Sequence, residues 1–188
     1  MLIIESYTTA VILLIITMLC WGSWANTQKL ATQKWPFQLF YWDYTLGIVV
    51  LSLIFGLTMG SNGELGRSFW EDLQQAEGSA LRSAFIGGVV FNIANLLLVA
   101  AIDIAGMAVA FPVGIGLALV LGVVVNYVAV PVGNPWLLFG GVLLVTVAIV
   151  LDALAYRQKE KGASVSNQGL WLSIIAGVLM GFFFRFVA

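Results

Sequence analysis

The sequence contains no histidine and a single cysteine, Cys20. Without imidazole, the commonest metal ligand and the commonest proton shuttle near neutral pH are both missing. One cysteine can form no internal disulfide and no thiolate metal cluster. Charge is scarce too. Lys, Arg, Asp and Glu make up 9% of the 188 residues, against about 25% in a soluble domain. The net charge is −1 and there is no basic run, so no nucleic-acid partner is indicated. No nucleophile–base arrangement, phosphate-binding loop or metal-ligand cluster stands out. An enzyme is therefore not expected, and neither is a cofactor. The start, MLIIESY, lacks a basic region, and no A-x-A cleavage site follows the first apolar run. That run is read as an uncleaved helix and not as a signal peptide.

What is present is apolar: 61% of residues are hydrophobic and the mean hydropathy is +1.03. This predicts an all-α polytopic membrane helix bundle in the plasma (inner) membrane, with lipid as its main partner. A hydrocarbon core of about 30 Å takes about 20 apolar residues per helix. Six segments qualify: Thr8–Thr32, Phe37–Gly60, Ser83–Ile104, Gly106–Val130, Trp136–Tyr156 and Gly169–Val187. Between the second and third lies the longest polar stretch, Ser61–Leu81. Within it, RSFWEDLQQA carries Phe69, Trp70 and Leu73 at helical spacing. It reads either as a short amphipathic helix on the membrane surface or as a solvated loop. In the fourth span Pro112 should bend the helix. After it, Gly114, Ala118, Gly122 and Asn126 recur every four residues, a ridge that admits close approach by another helix.

The polar residues of the spans are the candidates for function. In the first span, Thr17, Trp21, Trp24 and Gln28 share one face at ~100° per residue, and Gly22, Asn26 and Lys29 share another. Uncompensated polar groups cost several kcal/mol each in hydrocarbon, so these faces should line protein or a wet cavity. The alternative is an interfacial Trp belt with a snorkelling Lys29. Asn92 and Asn95, i and i+3 in mid-span, can each donate and accept hydrogen bonds. They suit an amide- or urea-like substrate on whose ring Trp21 or Trp24 could stack, or else they join helices. Asp43, in YWDYT, is the candidate for exchanging a proton or cation during transport, with Lys29 as its partner. Its alternative role is an interfacial carboxylate bonded by the neighbouring tyrosines. Substrate is expected near the midplane, where the two faces would look into one cavity.

Laid over itself so that Leu170 falls on Val11, the sequence matches Ile174-Ile175 to Ile15-Ile16, Gly181 to Gly22 and Arg185 to Asn26. Five helices followed by a copy of the first is how an inverted five-plus-five repeat begins. The expected domains are therefore residues 1–160, a first five-helix repeat, and 161–188, a linker and the first helix of an incomplete second repeat. Pairing with a missing second half or with a second copy would complete it. Lys29, Lys34, Arg157, Lys159 and Lys161 fall on one side, Arg67 and Arg82 on the other. The positive-inside rule puts the five-cation side in the cytoplasm.

The Gly22–Trp24 pattern followed by Asn-Thr-Gln-Lys-Leu, YWDYTL at Tyr41–Leu46, GGVVFNIANL at Gly87–Leu96 and VVNYV at Val124–Val128 together resemble the drug/metabolite transporter superfamily. Within it the chain is most similar to the ureide permeases and related bacterial permeases, over about the first half of the family's length. The resemblance implies a secondary transporter for small polar metabolites such as ureides, nucleobases or sugars, coupled to protons or another cation. Two other readings stand beside it. One is a small multidrug-type exporter acting as a dimer, which should carry a carboxylate in mid-membrane in its first helix, where this chain has only Glu5 outside the span. The other is a membrane scaffold that does not transport.

Overall fold

The computed structural model describes residues 4–31, 34–62, 66–159 and 166–187. All regular structure among them is helical: α1 (Tyr7–Ala31), α2 (Phe37–Leu57), α3 (Phe69–Gln75), α4 (Gly78–Ala105), α5 (Met107–Ala129), α6 (Pro135–Lys159) and α7 (Asn167–Val187). Six of the seven are long and apolar enough to cross a membrane, as the sequence predicts. The seventh, α3, settles RSFWEDLQQA as a helix. α4 begins five residues before the predicted span, and α6 runs to Lys159. Hydropathy counts only apolar residues, whereas backbone hydrogen bonding carries a helix on into polar surroundings.

Local chemistry sets the ends. Asn134 Oδ1 accepts from the backbone N–H of Trp136 (3.0 Å) and Leu137 (3.4 Å). It caps α6, with Pro135 at the first helical position, where its missing N–H costs nothing. Ser68 and Glu71 form a reciprocal capping box at the start of α3. α4 and α5 are joined by one residue, Gly106, at φ 80° and ψ 151°, a conformation essentially closed to other residues. Pro112 lies within α5, which continues through it as one helix.

The chain forms two compact units, residues 1–78 and 79–188. In the first, α2 packs on α1 and on α3. The ring of Phe69 lies against Gly56, and its backbone N–H donates to the Gly60 carbonyl at 3.0 Å. In the second, α4, α5 and α7 share a core of Ala94, Leu98, Val99, Ala101, Ile102, Ala110, Ala176 and Met180, all buried. α6 packs on α5, with Ile149 over Gly116 and Phe139 edge-on to Tyr127.

The small-residue ridge of α5 finds its partner in α7. A Cβ on Gly177 would stand 2.6 Å from the Gly114 carbonyl oxygen, and one on Gly181 would stand 2.7 Å from Leu121 Cβ. Gly122 faces Gly181, so the two helices run parallel. α7 runs antiparallel to α4: Gly169 abuts Ala105 at one end, and Ser83 Oγ donates to the Phe186 carbonyl (2.7 Å) at the other. Buried Ser173 satisfies its hydroxyl within α7, donating to the Gly169 carbonyl at 2.9 Å.

Filling this seam should be costly. Gly177→Leu is expected to lower stability by about 1–3 kcal/mol or more through overpacking, read as a lower unfolding temperature in detergent. Gly141→Ala, on α6 with open space around it, should leave that temperature unchanged or raise it.

Candidate functional site

The polar and aromatic residues at the α1–α2 end of the first unit form the built feature of the candidate site. Two turns back from the end of α1, Trp24 is half-buried, and one turn further on Gln28 is 1% exposed. Opposite them stands α2, whose first turns carry Phe40, Tyr41 and Tyr44. The Tyr44 ring stacks on Trp24 with centroids 5.7 Å apart and planes 27° apart. Phe40 stacks on Tyr44 at 6.5 Å, and Tyr41 leans on Tyr44 at 5.8 Å and 39°. The result is a four-ring cluster beside a buried amide. Gln28 is engaged by other groups, while its Oε1, also buried, has no hydrogen-bond partner of its own. At 1.5 Å per residue, Trp24 lies about 10 Å from the α1 terminus.

The YWDYT motif divides between two sides of α2. Tyr41 is buried and Tyr44 half-buried, whereas Trp42 is 68% exposed and Asp43 is exposed. Tyr41 and Asp43 point about 160° apart around the helix axis. Asp43 therefore does not sit among the aromatic rings. It lies six residues into α2, about 9 Å from the helix start, with Gly47 one turn further along and open space around that glycine. Lys29 and Asn26 are exposed on α1, and Trp21 is 44% exposed. The predicted four-residue face of α1 is thus buried only towards its end, at Trp24 and Gln28.

Asn92 and Asn95 belong to α4, in the second unit, midway along the helix. Asn95 is 2% exposed and sits on the face that carries Leu98, Val99 and Ile102 into the core. Asn92, at i−3, is exposed and engaged in an interaction. Phe91 packs against Phe183 of α7 with centroids 4.9 Å apart. Among the described residues no group of His, Cys, Asp or Glu could hold a metal ion.

The rings that sequence reading left out of the site are Phe40, Tyr41 and Tyr44. The two tyrosines entered only as neighbours of Asp43. Their i, i+3 spacing was the available signal, since it places both on one face and the aspartate on another.

Six apolar spans and a polar, aromatic helix pair define a multi-pass membrane protein. The model of the ureide permease family matches residues 40–167, and the chain belongs to that family. It is 26% identical over 159 residues to ureide permease 1 of Arabidopsis thaliana, covering 84% of this chain and 41% of the relative. To ureide permease 4 of the same plant it is 25% identical over 187 residues, covering 94% and 47%. To ureide permease 3 it is 23% identical over 171 residues, covering 90% and 50%. The chain spans about half the length of the curated relatives it matches. No solved structure matches it significantly.

If the Trp24–Tyr44 stack contributes as aromatic pairs do, a double-mutant cycle of Trp24→Ala and Tyr44→Ala should show a coupling of about 0.5–1.5 kcal/mol in unfolding free energy. Strictly additive losses would mean that the two rings do not support one another.

Proposed function

We propose that this chain carries the substrate-recognising part of a secondary transporter for small polar metabolites of the ureide, nucleobase or sugar class, working in the plasma membrane. The observation that carries this reading is family membership together with the aromatic cluster around Gln28. A planar, amide-rich solute needs flat apolar surface and a few placed hydrogen-bonding groups. Trp24 offers the first and Gln28 the second, with Trp21 and Asn26 extending the α1 face. Asn92 and Asn95 on α4 are proposed, from their amide chemistry, as further substrate-binding residues.

Transport is proposed to be coupled to a proton or another cation through Asp43. An ionisable side chain within a membrane span is expensive unless it is compensated. Asp43 is exposed and about two turns into α2, which supports a group meeting a wet pathway or a further helix. The repeat in the sequence supports residues 1–160 as one five-helix repeat and 161–188 as the linker and opening helix of an inverted second one. The same pattern, shared with the drug/metabolite transporter superfamily and its bacterial permeases, favours a partner of similar size, either a second half or a second copy.

The test is uptake of labelled allantoin and uracil by the full-length protein in proteoliposomes with an imposed pH gradient. Asp43→Asn should abolish gradient-driven uptake and leave counterflow exchange intact, because exchange needs binding without net proton movement. Trp24→Ala and Gln28→Leu should weaken both modes about tenfold or more, the order expected when a stacking or hydrogen-bonding contact of ~1.4 kcal/mol is lost. Unchanged gradient-driven uptake in Asp43→Asn refutes the coupling role. Unchanged exchange in both Trp24→Ala and Gln28→Leu refutes the site.

A further inference from the structure

The short helix α3 has so far served only as packing for α2. It is held at its start by contacts with the end of α2 and at its end by a short link to α4. At its start, the Phe69 ring rests on Gly56 and the Phe69 N–H bonds the Gly60 carbonyl. These contacts hold α3 to the final turn of the α2 span, which ends at Leu57. At its end, only Ala76 and Glu77 separate Gln75 from Gly78, where α4 begins. A segment tied so closely to two span ends has no reach to stand away from the surface.

The side chains of α3 divide by polarity. At 100° per residue, Phe69, Leu73 and Trp70 fall within an arc of about 100°, and Glu71, Asp72, Gln74 and Gln75 occupy the remainder. Phe69 spends its ring on α2. Trp70 remains 60% exposed and Leu73 41% exposed, side by side, with no described protein element covering them. The opposite side is polar and open, and Arg67, Glu71, Gln74 and Gln75 line a shallow hollow there. The capping box of Ser68 and Glu71 and the Gln75–Asp72 side-chain bond at 2.8 Å hold this polar side within the helix itself.

We propose that α3 lies in the headgroup layer with Trp70 and Leu73 inserted towards the acyl chains, so that the first unit grips the bilayer surface as well as spanning it. The occupant of the exposed apolar face is the lipid interface. An indole ring is the side chain that favours that layer, with its apolar body inward and its N–H towards water. Amphipathic helices of this kind sit about 5–10 Å into the headgroup–acyl boundary. The carboxylates of Glu71 and Asp72, on the far side, stay hydrated.

The experiment uses the full chain in phosphatidylcholine proteoliposomes. Exposed Cys20 is first replaced by Ser. A polarity-sensitive fluorophore is then placed in turn at Trp70→Cys, Leu73→Cys and Gln74→Cys. The positions chosen are all exposed, so the fold should survive each change. At Trp70 and Leu73 the emission should shift to the blue and be quenched more by lipid nitroxide at carbon 5 than at carbon 12, with little quenching by aqueous iodide. At Gln74 iodide should quench strongly and the nitroxides weakly. Two results overturn the proposal. Iodide quenching at Trp70 and Leu73 equal to that at Gln74 would make α3 a water-exposed helix. Quenching strongest by the carbon-12 nitroxide would put it inside the hydrocarbon core.

Discussion

Inside a bilayer, two helices gain little from hiding apolar surface from each other, because lipid is as apolar as leucine. What remains is contact at short range. In the second unit that contact is made where α5 and α7 bring backbone against backbone, over Gly114, Gly122, Gly177 and Gly181. Dispersion falls steeply with distance, so removing the side chains from a seam strengthens attraction between the atoms that are left. The other contacts of the unit lean on this one. α4 lays Leu98 over Gly114, α7 closes antiparallel to α4 through Ser83 and Phe186, and α6 adds Ile149 over Gly116 on the far side of α5. Ser173 can lie at the centre because its hydroxyl is satisfied within its own helix.

Several of these features were legible in the sequence for a definite reason. The Gly114–Ala118–Gly122 ridge announces itself, since a glycine-rich stripe in a membrane helix has few uses besides close approach. Its partner did not, because α7 arrives only after the whole of α6 and the connection that follows. The spans were legible in their apolar middles and less so at their ends. There Asn134 and the polar first turn of α4 decide the boundary, and hydropathy does not count them.

In the candidate site, composition drew attention to Asp43 as the charge among apolar residues. The helical period says only that Tyr41 and Tyr44 lie together and Asp43 apart. Which side meets α1 is a matter of tertiary packing, and the structure turns the tyrosines to Trp24. Gln28 had no motif of its own beyond sharing a face with two tryptophans. Its near-complete burial is a property of the assembled helix pair. The first unit thereby separates two kinds of chemistry on a single short stretch of α2, with flat aromatic surface on one side and an ionisable group on the other.

The single-residue link at Gly106 bears on motion. With one residue between them, α4 and α5 have no slack along their axes. A slide of either helix past the other by a full turn, ~5.4 Å, would break the connection geometry that only glycine supports there. Asn92 and Asn95 on α4 and the glycine ridge on α5 therefore keep their relative height along the two helices. α7 is locked to that hairpin through both of its helices. The amide pair and the α5–α7 seam are thus joined through a connection with no spare length.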